Sequence, residues 1–176
     1  MIFDASSLYI TIKNKDLRVL KDSSTLDLAF YEIGNAMVQE LRMGIIDQKA
    51  SVALSQILQS LPDVMNVKSF ETLKADKIQE IAKQSDLTFY DASYIALANS
   101  TDDEALTTDD SSVAKAARKM GIKTLSASDD RLSRREFEKS IVRGLEDTKK
   151  RRGTKTVPKG KDPVDFLREL TDESAK

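Results

Sequence analysis

The segment ALTTDDSSVAKAARKMGIKTL, residues 105–125, has a short apolar run at each end and an amphipathic pattern between them. Its apolar start, residues 105–107, predicts a short strand, and its apolar end, residues 122–125, predicts another. Between them, residues 113–120 predict a helix that Gly121 closes. A strand, a helix and a second strand in this order predict two parallel strands joined by a helical crossover.

The chain before this stretch continues the alternation of short apolar runs and amphipathic helices. Strands are predicted at 1–4 and 64–67, and helices around 8–12, 28–44, 47–62, 73–82 and 87–98. Residues 5–7 are expected to cap the first helix. We therefore expect an α/β fold of three layers, with a central parallel sheet between helices. In such sheets the ligand binds outside the carboxyl ends of the strands.

Four acidic residues stand beside these apolar runs: Asp4, Glu32, Asp91 and Asp109. Asp4 ends the first strand and Asp109 follows residues 105–107 by two positions, so both are expected at the same crevice. Glu32 and Asp91 interrupt the apolar sides of two helices, where an unpaired carboxylate is costly to bury. If the fold gathers all four, their repulsion requires a cation. The quartet predicts a site for a hard divalent metal ion.

These acids also have purely structural interpretations. Asp4 can cap the turn after the first strand, and Asp91 can complete a capping box opened by Thr88. Asp109 or Asp110 can cap the last helix. Taken singly, each structural interpretation is reasonable, whereas the four acids in these sequence contexts together favour a functional one.

Composition narrows the chemistry that is possible. The 176-residue chain has no Cys and no His. This excludes disulfides, thiolate zinc sites, cysteine nucleophiles and histidine-based triads. Carboxylates are then the main side chains for binding a metal ion or activating water. No apolar run approaches the roughly 20 residues of a membrane span and no basic leader precedes the first strand, so we expect a soluble, cytoplasmic protein without a membrane partner.

Charge divides the chain into two parts. Residues 1–128 hold 14 basic and 18 acidic side chains, a net charge of −4, whereas residues 129–176 have a net charge of +3. Residues 149–161 contain seven Lys or Arg and no acid, with glycine and proline between them, which is typical of a linker. Apolar residues at helical spacing flank this run. We predict a domain at 1–128 and a helical, partly basic C-terminal extension at 129–176.

Four blocks of the sequence resemble the signature blocks of the PIN-domain ribonucleases. They are MIFDASSL at 1–8, AFYEIGNAM at 29–37, LTFYDASYIALA at 87–98 and the stretch 105–125 quoted above. More narrowly, they resemble the VapC-type toxins of prokaryotic type II toxin–antitoxin systems. The resemblance covers residues 1 to about 128 in order and spacing, and it implies a PIN-like α/β/α fold. One block alone is a weak signal, whereas four in series are a strong one.

The resemblance implies Mg²⁺- or Mn²⁺-dependent cleavage of single-stranded or loop RNA. Metal-activated water attacks the phosphorus and leaves a 5′-phosphate and a 3′-hydroxyl. The implied catalytic residues are Asp4, Glu32, Asp91 and Asp109. Asp4, Asp91 and Asp109 are the implied metal ligands, with Asp4 and Asp91 nearest, and Ser6, Asn35 and Thr107 are implied supporting residues.

The resemblance also implies a homodimer and a cognate antitoxin. Two other functions stay open: an RNA-processing PIN nuclease outside a toxin–antitoxin system, and a non-catalytic RNA- or protein-binding PIN module. The negative domain should repel RNA at long range. Tyr9, Tyr90 and Tyr94 are candidates for stacking on bases, although packing is the favoured interpretation for them.

The extension has three interpretations. It wraps the enzyme or its dimer mate, or it acts as an RNA-binding arm through residues 149–161. In the third interpretation it resembles the toxin-binding end of an antitoxin, with Arg151, Arg152 or Arg168 as the inhibitory cation. The sequence does not choose among them.

Overall fold

The computed structural model describes residues 1–101 and 105–128. Its centre is a five-stranded, fully parallel sheet with the strand order β3-β2-β1-β4-β5. The strands are β1 (Ile2–Phe3), β2 (Ser24–Leu26), β3 (Asn66–Lys68), β4 (Leu106–Thr107) and β5 (Thr124–Leu125). The expected parallel sheet is confirmed, and β1 lies at its centre.

In the described part of the chain, six α-helices cover the sheet on both sides. They are α1 (Ala5–Lys13), α2 (Leu28–Arg42), α3 (Gln48–Ser60), α4 (Ala75–Ser85), α5 (Phe89–Asn99) and α6 (Ser111–Lys119). α2 packs on α1 and α3, and α5 packs on α4 and α6. This is the expected three-layer α/β/α arrangement.

Burial follows the apolar pattern of the sequence. Ile2 and Phe3 of β1 are fully buried, as expected for a parallel strand that is covered on both faces. Each helix contributes apolar side chains to the same core: Leu8, Ile33, Ile57, Ile78, Ile95 and Val113. Gly44 and Gly121 follow α2 and α6 with φ angles of +71° and +82°, which is the helix-ending conformation that glycine adopts without strain.

The strand β2 is absent from the sequence-based prediction. It lies between β1 and β3, and its residues Ser24 and Thr25 carry no apolar signal. Thr25 Oγ1 donates a hydrogen bond to the Phe3 carbonyl at 2.9 Å, so its hydroxyl is satisfied inside the sheet. The predicted strand at 64–67 is displaced, since β3 begins at Asn66 and a 3₁₀ turn occupies Leu61–Asp63.

Several predictions concern residues outside the described ranges. These are the helical extension at 129–176, the basic run at 149–161, and the roles of Arg151, Arg152 and Arg168. They stay predictions. Among the helices of residues 1–101 and 105–128, none is long and apolar enough to cross a membrane.

Candidate active site

The first and last of the four acids both follow strands at the carboxyl edge of the sheet. Asp4 directly follows β1 and Asp109 lies two residues beyond β4. β1 and β4 are paired in register, Phe3 opposite Thr107. The Asp4 amide donates a hydrogen bond to the Thr107 carbonyl at 3.1 Å, which extends the pairing to the start of the site.

Asp4 is buried at 6% exposure and also caps α1. Its Oδ1 accepts hydrogen bonds from Ser6 Oγ at 2.9 Å and from the Ser7 amide at 2.8 Å. Burial raises the pKa of Asp4, and hydrogen bonds from Thr108, Ser7 and Ser6 offset only part of that effect. The residue that caps α1 is therefore Asp4 and not a residue within 5–7. Burying the negative charge of Asp4 costs free energy.

Glu32 lies in the first half of α2 and is half-buried. Tyr94 of α5 donates its hydroxyl to Glu32 Oε2 at 2.7 Å. Burial raises the pKa of Glu32, the Tyr94 hydrogen bond lowers it, and the charges of Asp91 and Asp4 raise it again, with a net rise. The carboxylates of Asp91 and Asp4 therefore each lie near enough to act on that of Glu32.

Asp91 lies in the first turn of α5, which Thr88 caps. Thr88 Oγ1 accepts a hydrogen bond from the Asp91 amide at 3.1 Å and donates one to Asp91 Oδ2 at 2.7 Å. The predicted capping box, in which Asp91 is the partner of Thr88, is thus confirmed. It does not exclude a functional role, since the half-buried carboxylate still contributes to the raised pKa of Glu32.

Asp109 is turned toward the segment that follows β5. Ser126, Ala127 and Ser128 donate hydrogen bonds to its carboxylate. Burial would raise the pKa of Asp109, but these hydrogen bonds lower it overall. Asp110 is the residue that caps α6, with its Oδ1 accepting from the Ser112 and Val113 amides. Of the two capping candidates, Asp110 is the correct one.

The structure therefore places Asp4 and Asp91 as electrostatic neighbours of Glu32, whereas the described hydrogen bonds of the Asp109 carboxylate come from the residues that follow β5. Across residues 1–101 and 105–128, no three carboxylates lie close enough to hold one ion. The oxygen-only donor set nevertheless fits Mg²⁺, which keeps several waters and takes one or two protein carboxylates directly. A cation beside Asp4 would also offset the cost of burying its carboxylate charge, the burial that raises its pKa.

The three supporting candidates differ in their surroundings. Ser6 holds Asp4. Asn35 lies exposed on α2, three residues after Glu32. Thr107 is fully buried and supports α1 through its carbonyl, which accepts from Ser7 Oγ at 2.7 Å, whereas its own Oγ1 has no hydrogen-bond partner in the described part of the chain.

Sequence reasoning missed four further residues that hold the acids: Ser7, Thr108, Ser126 and Ser128. Thr108 touches Asp4 and its Oγ1 accepts from the Asp110 amide. For Tyr94 the sequence favoured packing over base stacking, but it did not predict the hydrogen bond to Glu32. Tyr94 is buried and bound to Glu32, and Tyr9 is likewise buried with its hydroxyl on Glu40, so only Tyr90 of the three is exposed.

Replacing Asp4 with Asn is expected to lower the pKa of Glu32 in the metal-free protein. The change removes one of the two negative charges that oppose ionisation of Glu32. An NMR titration of the Glu32 side-chain carboxyl carbon measures this pKa. Asp110→Asn removes a charge that does not act on Glu32 and serves as the control. An identical Glu32 pKa in the wild type and in Asp4→Asn would contradict the proximity of the two acids.

Comparison with known proteins identifies a relative by sequence and a similar solved structure. The chain is 33% identical over 127 residues to a protein named Exonuclease VapC9 from Pyrobaculum aerophilum, and the match spans 70% of this chain and 91% of that protein. The fold matches the crystal structure of PAE2754 from Pyrobaculum aerophilum with a TM-score of 0.59 at 27% identity, over 82% of this chain and 88% of that one. No model of a protein family matches the chain.

Proposed function

Because the chain belongs to the VapC-type PIN-domain nucleases, we propose that it is a metal-dependent endoribonuclease and the toxin of a toxin–antitoxin pair. The observation that carries this proposal is Asp4, a buried carboxylate at the end of the central strand whose charge, like that of Asp91, acts on Glu32. We expect the enzyme to act in the cytoplasm on single-stranded or loop RNA.

Asp4 is the residue best held for binding a cation. It is fixed by Ser6 and by the Ser7 amide, so its carboxylate does not have to reorganise when a ligand arrives. Asp4 caps α1 and Asp91 lies in the first turn of α5, and helix amino termini favour negative charge. We assign the direct metal contacts to Asp4 and Asp91.

Glu32 is assigned to the attacking water. Tyr94 fixes one of its oxygens, and its raised pKa makes it a better proton acceptor than an ordinary carboxylate. A bound Mg²⁺ or Mn²⁺ supplies the positive charge that activates water and stabilises the transferring phosphate. Asp109 is assigned to a further metal or water contact on the β4 side.

Exposed aromatic side chains support a single-stranded substrate. Phe70 and Phe89 lie with their ring centroids 6.3 Å apart, and both rings are exposed, as is that of Tyr90. Phe89 and Tyr90 directly precede Asp91 in the first turn of α5. Aromatic faces beside a nuclease site are suited to stacking on unpaired bases.

Exposed apolar side chains support a protein partner. They lie along α2 and the segment that follows it: Tyr31, Val38, Met43 and Ile45. Tyr31 and Val38 are two helical turns apart and so share one side of α2. We infer a homodimer and a cognate antitoxin, since clustered exposed apolar groups mark interaction surfaces.

The proposal predicts cleavage of an end-labelled single-stranded RNA in Mg²⁺ or Mn²⁺. EDTA should stop the reaction and added Mn²⁺ should restore it, because carboxylates alone do not activate water effectively. Cleavage that continues at full rate in EDTA contradicts the proposed metal dependence, and intact RNA under all conditions contradicts the proposed nuclease activity.

A circular RNA substrate distinguishes internal cleavage from cleavage that starts at an RNA end. The relative VapC9 is an exonuclease by name, whereas we propose internal cleavage. A circular single-stranded RNA has no ends, so its linearisation in Mn²⁺ supports an endonuclease. Cleavage of the linear form alone contradicts internal cleavage and leaves a metal-dependent exonuclease.

A further inference from the structure

The three residues after β5, Ser126, Ala127 and Ser128, surround the carboxylate of Asp109, and we call them the serine clamp. Ser126 Oγ, Ser128 Oγ and the Ser128 amide donate to Oδ1 at 2.5, 2.6 and 3.1 Å. The Ala127 amide donates to Oδ2 at 3.2 Å. Four hydrogen bonds therefore fix one carboxylate that lies at the edge of the site.

Strand pairing places the clamp beside Asp109. β4 and β5 are parallel neighbours with Thr107 opposite Leu125. The Thr108 amide donates to the Leu125 carbonyl at 2.9 Å, so the two chains leave the sheet side by side. Residues that follow both strands by one to three positions then meet at the carboxyl edge of the sheet.

The clamp uses the two carboxylate oxygens unequally. A carboxylate has about four lone-pair sites, two on each oxygen. Oδ1 receives three of the four hydrogen bonds and is saturated, whereas Oδ2 receives only one. Asp109 is thus oriented so that Oδ2 is the oxygen with capacity for a further ligand.

We propose that Ser126 and Ser128 are positioning residues that fix Asp109 so that it contributes to the acidic site through Oδ2. This inference rests on the nuclease function proposed above. The alternative is a purely stabilising role, in which the serines only hold the chain after β5. Residue 129, where the predicted extension begins, directly follows the clamp.

The test compares the Ser126→Ala/Ser128→Ala double variant with the wild type, using the full chain. Loss of residues that orient a metal-binding group typically costs about 10- to 100-fold in metal affinity or activity. We expect weaker Mn²⁺ binding by isothermal titration calorimetry and a lower kcat on single-stranded RNA, with KM little changed. Ser112→Ala is the matched control, since Ser112 is exposed at the start of α6 and outside the clamp.

A variant that keeps both hydroxyl donors distinguishes a positioning role of the serines from a stabilising role. Ser126→Thr/Ser128→Thr keeps both hydroxyl donors and should restore Mn²⁺ affinity and kcat to near the wild-type values. A double alanine variant with unchanged Mn²⁺ affinity and kcat but a lower unfolding temperature overturns the proposal in favour of a stabilising role. If the double variant does not fold, Ser128→Ala alone gives the same comparison, since Ser128 is exposed.

Different results would overturn the proposed role of the serine clamp and the proposed nuclease function. If the wild type binds Mn²⁺ but cleaves no RNA, the nuclease function fails, and the Mn²⁺ affinities of the serine variants still decide the clamp. If RNA is cleaved and the alanine variants match the wild type in Mn²⁺ affinity and kcat, the clamp alone fails. A wild type that neither binds Mn²⁺ nor cleaves RNA overturns both.

Discussion

Asp4→Asn is expected to lower the rate of RNA cleavage at saturating substrate by a hundredfold or more. Asp4 is the buried carboxylate at the end of the central strand, and Asn cannot supply its negative charge to a cation. Losing ~3 kcal/mol of transition-state stabilisation corresponds to roughly that factor.

The fold should tolerate this substitution. Asp4 caps α1 by accepting from the Ser7 amide, and Asn is about as good a cap as Asp because its side-chain oxygen accepts the same bond. Single-turnover cleavage in Mn²⁺ measures the activity, and urea unfolding followed by circular dichroism measures stability. The expected pattern is a large loss of activity with a small change in stability.

Asp110→Asn is the matched control. It makes the same chemical change at another helix cap, that of α6, where no role in the site is assigned. We expect its cleavage rate to stay close to that of the wild type. An Asp4→Asn enzyme that cleaves as fast as Asp110→Asn would remove Asp4 from the catalytic set.

Phe3→Ala is expected to lower the free energy of unfolding by about 3–5 kcal/mol, the range for removing a large side chain from a core. Phe3 has no exposed surface and lies in β1, with a strand on each side. Since small domains are stable by only about 5–15 kcal/mol, a large part of the stability is at risk. Urea unfolding of the purified variant measures the loss.

Phe70→Ala is the comparison for this second substitution. Phe70 is exposed and its described ring contact is with Phe89, so its removal should cost no more than about 1.5 kcal/mol, the upper value for an aromatic pair. Equal losses at Phe3 and Phe70 would contradict the burial pattern. Phe3→Ala should also reduce cleavage through loss of folded protein, which the unfolding curve distinguishes from the effect of Asp4→Asn.

The capping and functional interpretations of the acids turned out to be compatible. Asp4 caps α1, and Asp91 exchanges hydrogen bonds with the cap of α5, yet both lie close enough to raise the pKa of Glu32. For Asp4 the reason is topological, since α1 directly follows the parallel strand β1 and so begins at the carboxyl edge of the sheet, where ligands bind. At such an edge one carboxylate can serve both roles.

Local sequence was sufficient to predict the helices and strands that have strong apolar periodicity, and it was insufficient to predict the others. The six helices of residues 1–101 and 105–128 were predicted from apolar spacing, and closing glycines marked the ends of α2 and α6. β2 was missed because Ser24 and Thr25 are polar, and their burial depends on the strands that pair with them from distant parts of the chain. A polar strand inside a sheet has no local signal.

By itself, the sequence determined the fold class, the order of the strands and helices other than β2, and the four acids that distinguish this chain from an ordinary α/β domain. These follow from apolar periodicity and from residue types at fixed positions, which are local properties. Tertiary structure alone decided which acids are neighbours, that Tyr94 holds Glu32, and that Ser126 and Ser128 hold Asp109. Those contacts join residues 17 to 62 positions apart, and only strand pairing and helix packing bring them within hydrogen-bonding distance.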